Sequence, residues 1–191
     1  EKRYGGSGVR KAVNNVNEII APALIGMDVT QQRVIDAKLI ELDGTENKTN
    51  LGANAVMPVS LACAYAGAKS LGLPLYRYLN PNAHILPVPL FNLLNGGKLT
   101  SNDLDFQEFC IFPVGDSFKQ ALEIGRAVND ELAKIILERY GKLALNVGDE
   151  GGFATPINDV MEAMEVLSTA VNNSGYADKI LYGFDCAATH L

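Results

Sequence analysis

Apolar residues recur every three or four positions through residues 9–24, at Val9, Ala12, Val13, Val16, Ile19, Ile20 and Leu24. That spacing predicts a helix with one apolar face. Asp28, with Gln31 three positions on, has the form of a capping box, and Ile35, Leu39 and Leu42 extend a second helix. DGTENKTNLG (43–52) breaks the pattern and reads as a polar loop. Residues 53–71 are dense in alanine and predict a closely packed helix, in which Pro58 fits only if it falls in the first turn. LYRYL (75–79) is a further short amphipathic piece. Up to here the pattern describes a helical layer with no evident chemistry.

The pattern changes at NPNAHILPVP (80–89), where proline and asparagine punctuate a boundary. Beyond it, short apolar runs predict strands at about 87–94, 106–112, 143–147 and 180–185. Between them lie two amphipathic helices. One spans about 117–140, carried by Leu122, Val128, Leu132, Ile135 and Ile136, and stops at Gly141. The other spans about 158–173 on Val160, Met164, Leu167 and Val171, with Met161 and Met164 both assigned to the core. Strands alternating with helices indicate parallel α/β architecture.

One connector departs from that scheme. NGGKLTSNDLD (95–105) is rich in Gly, Asn and Asp and is not helical. A parallel crossover normally needs a helix, so the first two strands are expected to pair antiparallel. The second strand then starts where the first one ends. Gln107 and Glu108 open that second strand, Glu150 follows the third, and Asp185 ends the fourth. Three carboxylates distant in sequence are thus expected on one rim. In barrel enzymes the chemistry sits at the carboxyl ends of strands.

Composition narrows the function classes. With 48% hydrophobic and 20% charged residues among 191, the chain is globular rather than disordered. A net charge of −6, with no Lys/Arg cluster, argues against non-specific nucleic-acid binding. No stretch is long enough for a membrane span, and no basic-then-apolar signal opens the chain. Cys63, Cys110 and Cys186 are odd in number and have no metal-ligand spacing, which fits buried structural thiols in a reduced, cytoplasmic compartment. The chain opens on EKRYGGSG and closes on GFDCAATHL, so both ends are expected to be cuts through a longer protein.

Single residues also have bland readings. DEGG (149–152) by itself suits an exposed turn, although two adjacent acids after an apolar run are costly unless paired or metal-bound. Asp149 reads as a backbone-capping or supporting acid rather than a catalytic one. His84 reads as a surface residue and His190 as structural or exposed, with a site role open. ENK (46–48) reads as a solvated loop.

Several long motifs in order resemble the enolase family, the phosphopyruvate hydratases of glycolysis. ELDGTENKTNLGANAVMPVSLACAYAGA (41–68) is similar to the signature of the family's N-terminal domain, and LPVPLFNLLNGG (86–97) to the strand that opens its barrel. QEF (107–109), NVGDEGGFA (146–154) and GFDCAAT (183–189) resemble its active-site strands. The resemblance implies an α/β fold: an α+β N-terminal domain, incomplete at its start, over 1–84. The first part of an enolase-type (β/α)8 barrel with an antiparallel second strand follows over 85–191. It implies reversible, Mg2+-dependent dehydration of 2-phosphoglycerate to phosphoenolpyruvate by a homodimer or larger homo-oligomer. Carried over residue by residue, Glu150 corresponds to the acid that protonates the departing hydroxyl, and Glu108 to its partner in the proton and water network. Gln107 and Glu108 correspond to substrate contacts, and Asp185 to a Mg2+ ligand.

The chain also departs from that pattern. Where the family usually has a histidine after the NGG glycines, this chain has Leu99, preceded by Lys98. Leucine offers no hydrogen bond, so Lys98 becomes a candidate substrate contact. The family's serine loop, two further metal carboxylates, lysine base and phosphate-binding arginine are expected outside residues 1–191. Alternative readings are an enolase-like paralogue acting on another phospho- or phosphono-carboxylate, or a non-catalytic enolase-like binding protein.

Overall fold

The computed structural model describes residues 2–190, which form two compact units divided between Ile85 and Leu86. In the first unit, α1 (Arg10–Asn15) passes through a π-turn at Val16–Ile20 into α2 (Ala21–Leu24). The wider turn interrupts the 3.6-residue period, so Ala12 and Ile20 are buried while Val9, Val13 and Ile19 are exposed. The second helix, α3 (Gln32–Asp43), buries Ile35 and Leu39 and ends at Gly44 in the left-handed conformation. The expected capping box is absent. Asp28 Oδ1 accepts the Thr30 N–H (2.9 Å) and hydroxyl (2.8 Å), an Asx turn that lies before the helix.

The loop after α3 is polar, as expected, and is anchored by Asp43, which is buried. Asp43 accepts from the Thr45 hydroxyl and N–H and, through Oδ2, from the Leu51 N–H at 2.8 Å. Next come α4 (Ala53–Ser70) and α5 (Leu75–Leu79). Pro58 is the sixth residue of α4, past the first turn where it was expected. It lies on the exposed face, as does Asn54, so the carbonyl that loses its i+4 partner meets solvent. Ile20, Ile35, Leu39, Leu51 and Ala55 form the centre of this unit's core.

The second unit is a three-stranded sheet in the order β1 (Phe91–Asn95), β2 (Glu108–Pro113), β3 (Ile180–Asp185). Both pairings are antiparallel, so β1 and β3 run the same way with β2 reversed between them. The β1–β2 pairing is the one the non-helical connector predicts; the alternation of strands and helices predicted parallel pairing, which neither ladder of this sheet shows. The first strand starts at Phe91 rather than 87, because Pro87 and Pro89 have no N–H for a ladder. Helices α6 (Phe118–Tyr140) and α7 (Val160–Asn173) pack together and against β2. Their N-termini are capped by Ser117 Oγ, accepting from Gln120 N–H, and by Asp159, accepting from Met161 and Glu162 N–H. The core joins Leu94, Phe109 and Ile111 to Ile124, Val128, Leu132 and Val166. Leu122 and Met161 face solvent instead of the core, because both lie off the buried stripes of their helices.

The strand expected at 143–147 does not form. Residues Lys142–Leu145 make a 3-10 turn that buries Ala144 and exposes Leu143. The residue that reaches the edge of β1 is Phe153, which bridges both Leu94 and Val147. An apolar run becomes a strand only where a sheet edge receives it, and here the edge is taken by the residue after DEGG. Cys110 is buried, whereas Cys63 and Cys186 are only partly so; all three thiols are free. Among the described residues no helix is long and apolar enough to cross a membrane.

Candidate functional site

The pleat of the sheet sorts its side chains. Asn92 stands opposite Cys110, Asn95 opposite Glu108, and Glu108 opposite Asp185. Residues directly opposite share a face, and so do residues two apart on one strand. One face therefore carries Asn92, Asn95, Glu108, Cys110 and Asp185. Two asparagines three apart on β1 would ordinarily point to opposite faces. A register shift between Asn92 and Leu94 adds the extra residue that returns both to the same one.

Glu150 reaches this face from a tight turn. Gly148 N–H donates to Gly152 O (2.8 Å) and Gly151 N–H to Gly148 O (3.1 Å), closing a loop whose Gly151 has φ +86°. The loop hangs on β1 through Phe153 N–H to Leu93 O (2.9 Å) and Asn95 N–H to Phe153 O (3.0 Å). Gly152 is required for another reason: a Cβ there would collide with the amide oxygens of both Asn92 and Asn95. The paired glycines thus let an acid-bearing turn close directly onto a strand. At its tip Glu150 is exposed, and its Oε2 accepts the Asn92 amide N–H at 3.2 Å. Asp149 also faces solvent. Its backbone N–H donates to Leu99 O at 3.4 Å.

Burial pushes the Glu108 carboxyl above its ordinary range, and the adjacent Glu150 carboxyl adds to the shift by hydrogen bonding and by like charge. Asp185 contributes further negative charge, while the Cys110 thiol, donating to Glu108 Oε2 at 3.5 Å, works the other way. The same surroundings, burial first, push the Cys110 thiol up to about 12, so it stays a neutral donor. Asp185 is exposed, and its Oδ1 accepts the N–H of Ala187, a non-glycine residue at φ +45°. That bond holds the chain in an unfavourable turn just beyond the carboxylate.

Lys98, Asp103 and Asp105 of the connector line an open cleft of about 490 Å³ together with Gln107, Cys186 and His190. Lys98 is exposed in the short turn Gly97–Leu99, while Leu99 is half-buried. Gln107 Oε1 lies 3.2 Å from His190 Nδ1, which places His190 at the cleft. The other histidine, His84, is exposed, with Nδ1 2.6 Å from Asn82 O. Asn102 pins the connector through Asn95 O (3.0 Å) and Thr155 O (2.8 Å).

Glu108, Glu150 and Asp185 are therefore brought together, with Gln107 and Lys98 at the adjoining cleft. Asn92 and Asn95 belong to the same region and were not singled out from sequence, whereas His190, whose site role the sequence leaves open, lies at the cleft. The available signal was two polar amides interrupting the apolar strand FNLLN, since buried polar groups need a reason.

Comparison with known proteins accounts for both units. Residues 1–79 match the enolase N-terminal domain family and residues 83–191 the enolase C-terminal TIM barrel domain family. The chain is 58% identical to the enolase of Pyrococcus furiosus across its whole length, covering 45% of that protein. It is 55% identical to the enolase of Thermococcus kodakarensis over 98% of the chain and 44% of the relative. With the enolase of Methanocaldococcus jannaschii it shares 51% over 99% of the chain and 45% of the relative. The chain thus spans less than half the length of these relatives, and its sheet is the first part of a barrel. On both domains and across its full length, the chain belongs to the enolase family.

Proposed function

We propose that the protein carrying this chain catalyses the reversible, Mg2+-dependent dehydration of 2-phosphoglycerate to phosphoenolpyruvate. The observation that carries this reading is the meeting of Glu108, Glu150 and Asp185 from three separate segments on one face of the sheet. A hydrogen alpha to a carboxylate is very weakly acidic; the lysine base expected outside residues 1–191 would take it as a proton, leaving an enediolate with concentrated negative charge. Hydroxide is a poor leaving group, so its departure needs a proton at neutral pH. Burial first, and then crowding by Glu150, push the Glu108 carboxyl above its ordinary range, which suits Glu108 to hold a proton for relay. Glu150, at the tip of its turn, delivers that proton to the C3 hydroxyl. The C3–O pair leaves with the oxygen as water, the enediolate electrons form the C2–C3 double bond, and Glu150 is left as carboxylate. Glu108 relays protons to it, and Gln107, Glu108 and Lys98 contact the substrate.

Asp185 suits Mg2+ as a hard oxygen ligand, to be joined by the two carboxylates expected outside residues 1–191 and by substrate and water oxygens. Among the described residues no group of three His, Cys, Asp or Glu side chains is placed to hold a metal. This segment therefore contributes a ligand, not a whole site. When bound, the metal neutralises charge that builds on the substrate carboxylate. We place the protein in the cytoplasm as a homodimer or larger homo-oligomer, with the domain boundary at 84/85.

The test is phosphoenolpyruvate formation by the full-length protein with Mg2+, followed by ultraviolet absorbance. Glu150→Gln keeps the shape and removes the proton, so turnover should fall by roughly two to four orders of magnitude. Near-normal turnover removes Glu150 from the role of acid.

A further inference from the structure

Two buried acceptors on the carboxylate face have no donor: Asn92 Oδ1 and Asn95 Oδ1. Both lie against the Cα of Gly152, on the side where a Cβ would be. The other end of the Asn92 amide is engaged, with Nδ2–H donating to Glu150 Oε2 at 3.2 Å. Asn95 Nδ2 is likewise committed, donating to Gln107 O at 3.2 Å. So the Asn92 amide engages the Glu150 carboxyl at one end, while its own oxygen and that of Asn95, both set against Gly152, lack a partner. Unpaired buried acceptors are rare in folded proteins and ask for a reason.

We propose that Asn92 is a positioning residue that holds Glu150 in both of its protonation states by turning its amide. An amide is nearly symmetric in shape, yet one end donates and the other accepts. Facing the carboxylate, Asn92 presents N–H, which is the arrangement seen. Facing the carboxylic acid, the amide turned by 180° accepts the Glu150 O–H at its carbonyl. Its NH2 then faces the side where Asn95 Oδ1 waits for a donor. No covalent bond changes in this turn; only hydrogen-bond partners are exchanged as the proton leaves for the C3 hydroxyl. The bulge in β1 matters because it puts both asparagines on the Glu108 face. Gly152 matters because it leaves both amides room.

This inference rests on the reading of Glu150 as acid, and its test separates the two. The full-length protein is assayed with Mg2+ and 2-phosphoglycerate in three single variants: Asn92→Leu, Asn92→Ala and Glu150→Gln. Two rates are measured: phosphoenolpyruvate formation, and exchange of the substrate C2 hydrogen with solvent deuterium by NMR. The acid acts only on departure of the hydroxyl. Both Asn92 variants are therefore expected to lose about ten- to a hundredfold in kcat for dehydration, the scale of one hydrogen bond to a charged group. KM should stay within about twofold and C2 exchange should persist. Asn92→Leu added to Glu150→Gln should cost little more than Glu150→Gln alone, because the two act as one unit. A proportional fall in both rates, a change in KM alone, or loss of the fold in both Asn92 variants overturns the proposal. So does normal dehydration in them while Glu150→Gln is impaired. If Glu150→Gln itself dehydrates normally, the reading of Glu150 fails first.

Discussion

Glu108 and Asp185 stand directly opposite each other across the antiparallel pairing of β2 and β3. Side chains opposite one another on a shared face are about 5 Å apart at Cβ, and like charges so placed repel. The repulsion contributes to the upward push on the Glu108 carboxyl. If Asp185 holds Mg2+ as proposed, the cation would relieve this repulsion and couple metal binding to the charge state of the face. Asp185→Asn keeps an oxygen for the Ala187 N–H and so should preserve the turn beyond β3. It removes the ligand charge, and Mg2+ affinity of the full-length protein, measured by calorimetry, should drop roughly tenfold or more. Unchanged affinity would place the metal elsewhere.

The direction of β2 was legible because a connector of Gly, Asn and Asp cannot supply a crossover helix. That inference brings Glu108 and Asp185 together, whereas Glu150 was placed there as following a strand at 143–147 and reaches the face instead from the turn before Phe153. The strand predicted at 143–147 failed because an apolar run says nothing about whether an edge is available, and Phe153 occupied it. Asn92 and Asn95 stayed hidden for a different reason. Alternation along a strand places residues three apart on opposite faces, and only the register shift beside Leu94 reverses this. The misplaced Pro58 reflects tertiary context, since an exposed carbonyl tolerates the loss of its partner.

Gly96, the first glycine of the NGG motif, is a packing requirement. Its backbone is extended, but a Cβ there would run into the Phe106 and Leu104 carbonyls, the latter at 2.6 Å. These are main-chain atoms of the connector that carries Lys98 and Leu99, and they cannot swing aside. Gly96→Ala is expected to destabilise the second unit by about 1–3 kcal/mol, the usual cost of overpacking. Denaturant unfolding measures this; a neutral result would mean that the connector can shift as a body.

Asp43 gives the first unit an acid-sensitive anchor. Burial acts to raise its carboxyl, but hydrogen bonds from the Thr45 hydroxyl and the Leu51 and Thr45 N–H, with the Lys48 charge, outweigh it. The folded carboxyl thus titrates below the unfolded one. The unfolded chain binds the proton first, so the stabilisation is complete above about pH 4 and is lost as pH falls through the lower folded value. Asp43→Asn should lower the melting temperature at neutral pH, and the gap from wild type should close on acidification. Substituting Asp130, in an exposed pair with Arg126, should shift melting less. An Asp43→Asn deficit that persists undiminished in acid would exclude the charge as its cause.

Leu99 carries the most exposed prediction. Its carbonyl accepts the Asp149 N–H at 3.4 Å, tying this position to the turn that bears Glu150. A polar side chain here would stand near the acid, but leucine offers no donor. Lys98 lines the cleft beside Gln107 and brings a positive charge from the adjacent position. Solvent-exposed charges contribute only about 0.2–1 kcal/mol each, at most about fivefold. A hydrogen bond to a charged substrate is worth roughly 1.5–3 kcal/mol, about one to two orders of magnitude in kcat/KM. On the proposed function, Lys98 is expected to compensate for the leucine only in part. In the full-length protein Leu99→His should raise kcat/KM for 2-phosphoglycerate by more than Lys98→Met lowers it. Should Leu99→His leave that constant unchanged or reduce it, the leucine is not a missing contact. The site would then fit another phospho- or phosphono-carboxylate better, and a substrate panel on the unsubstituted protein would find it.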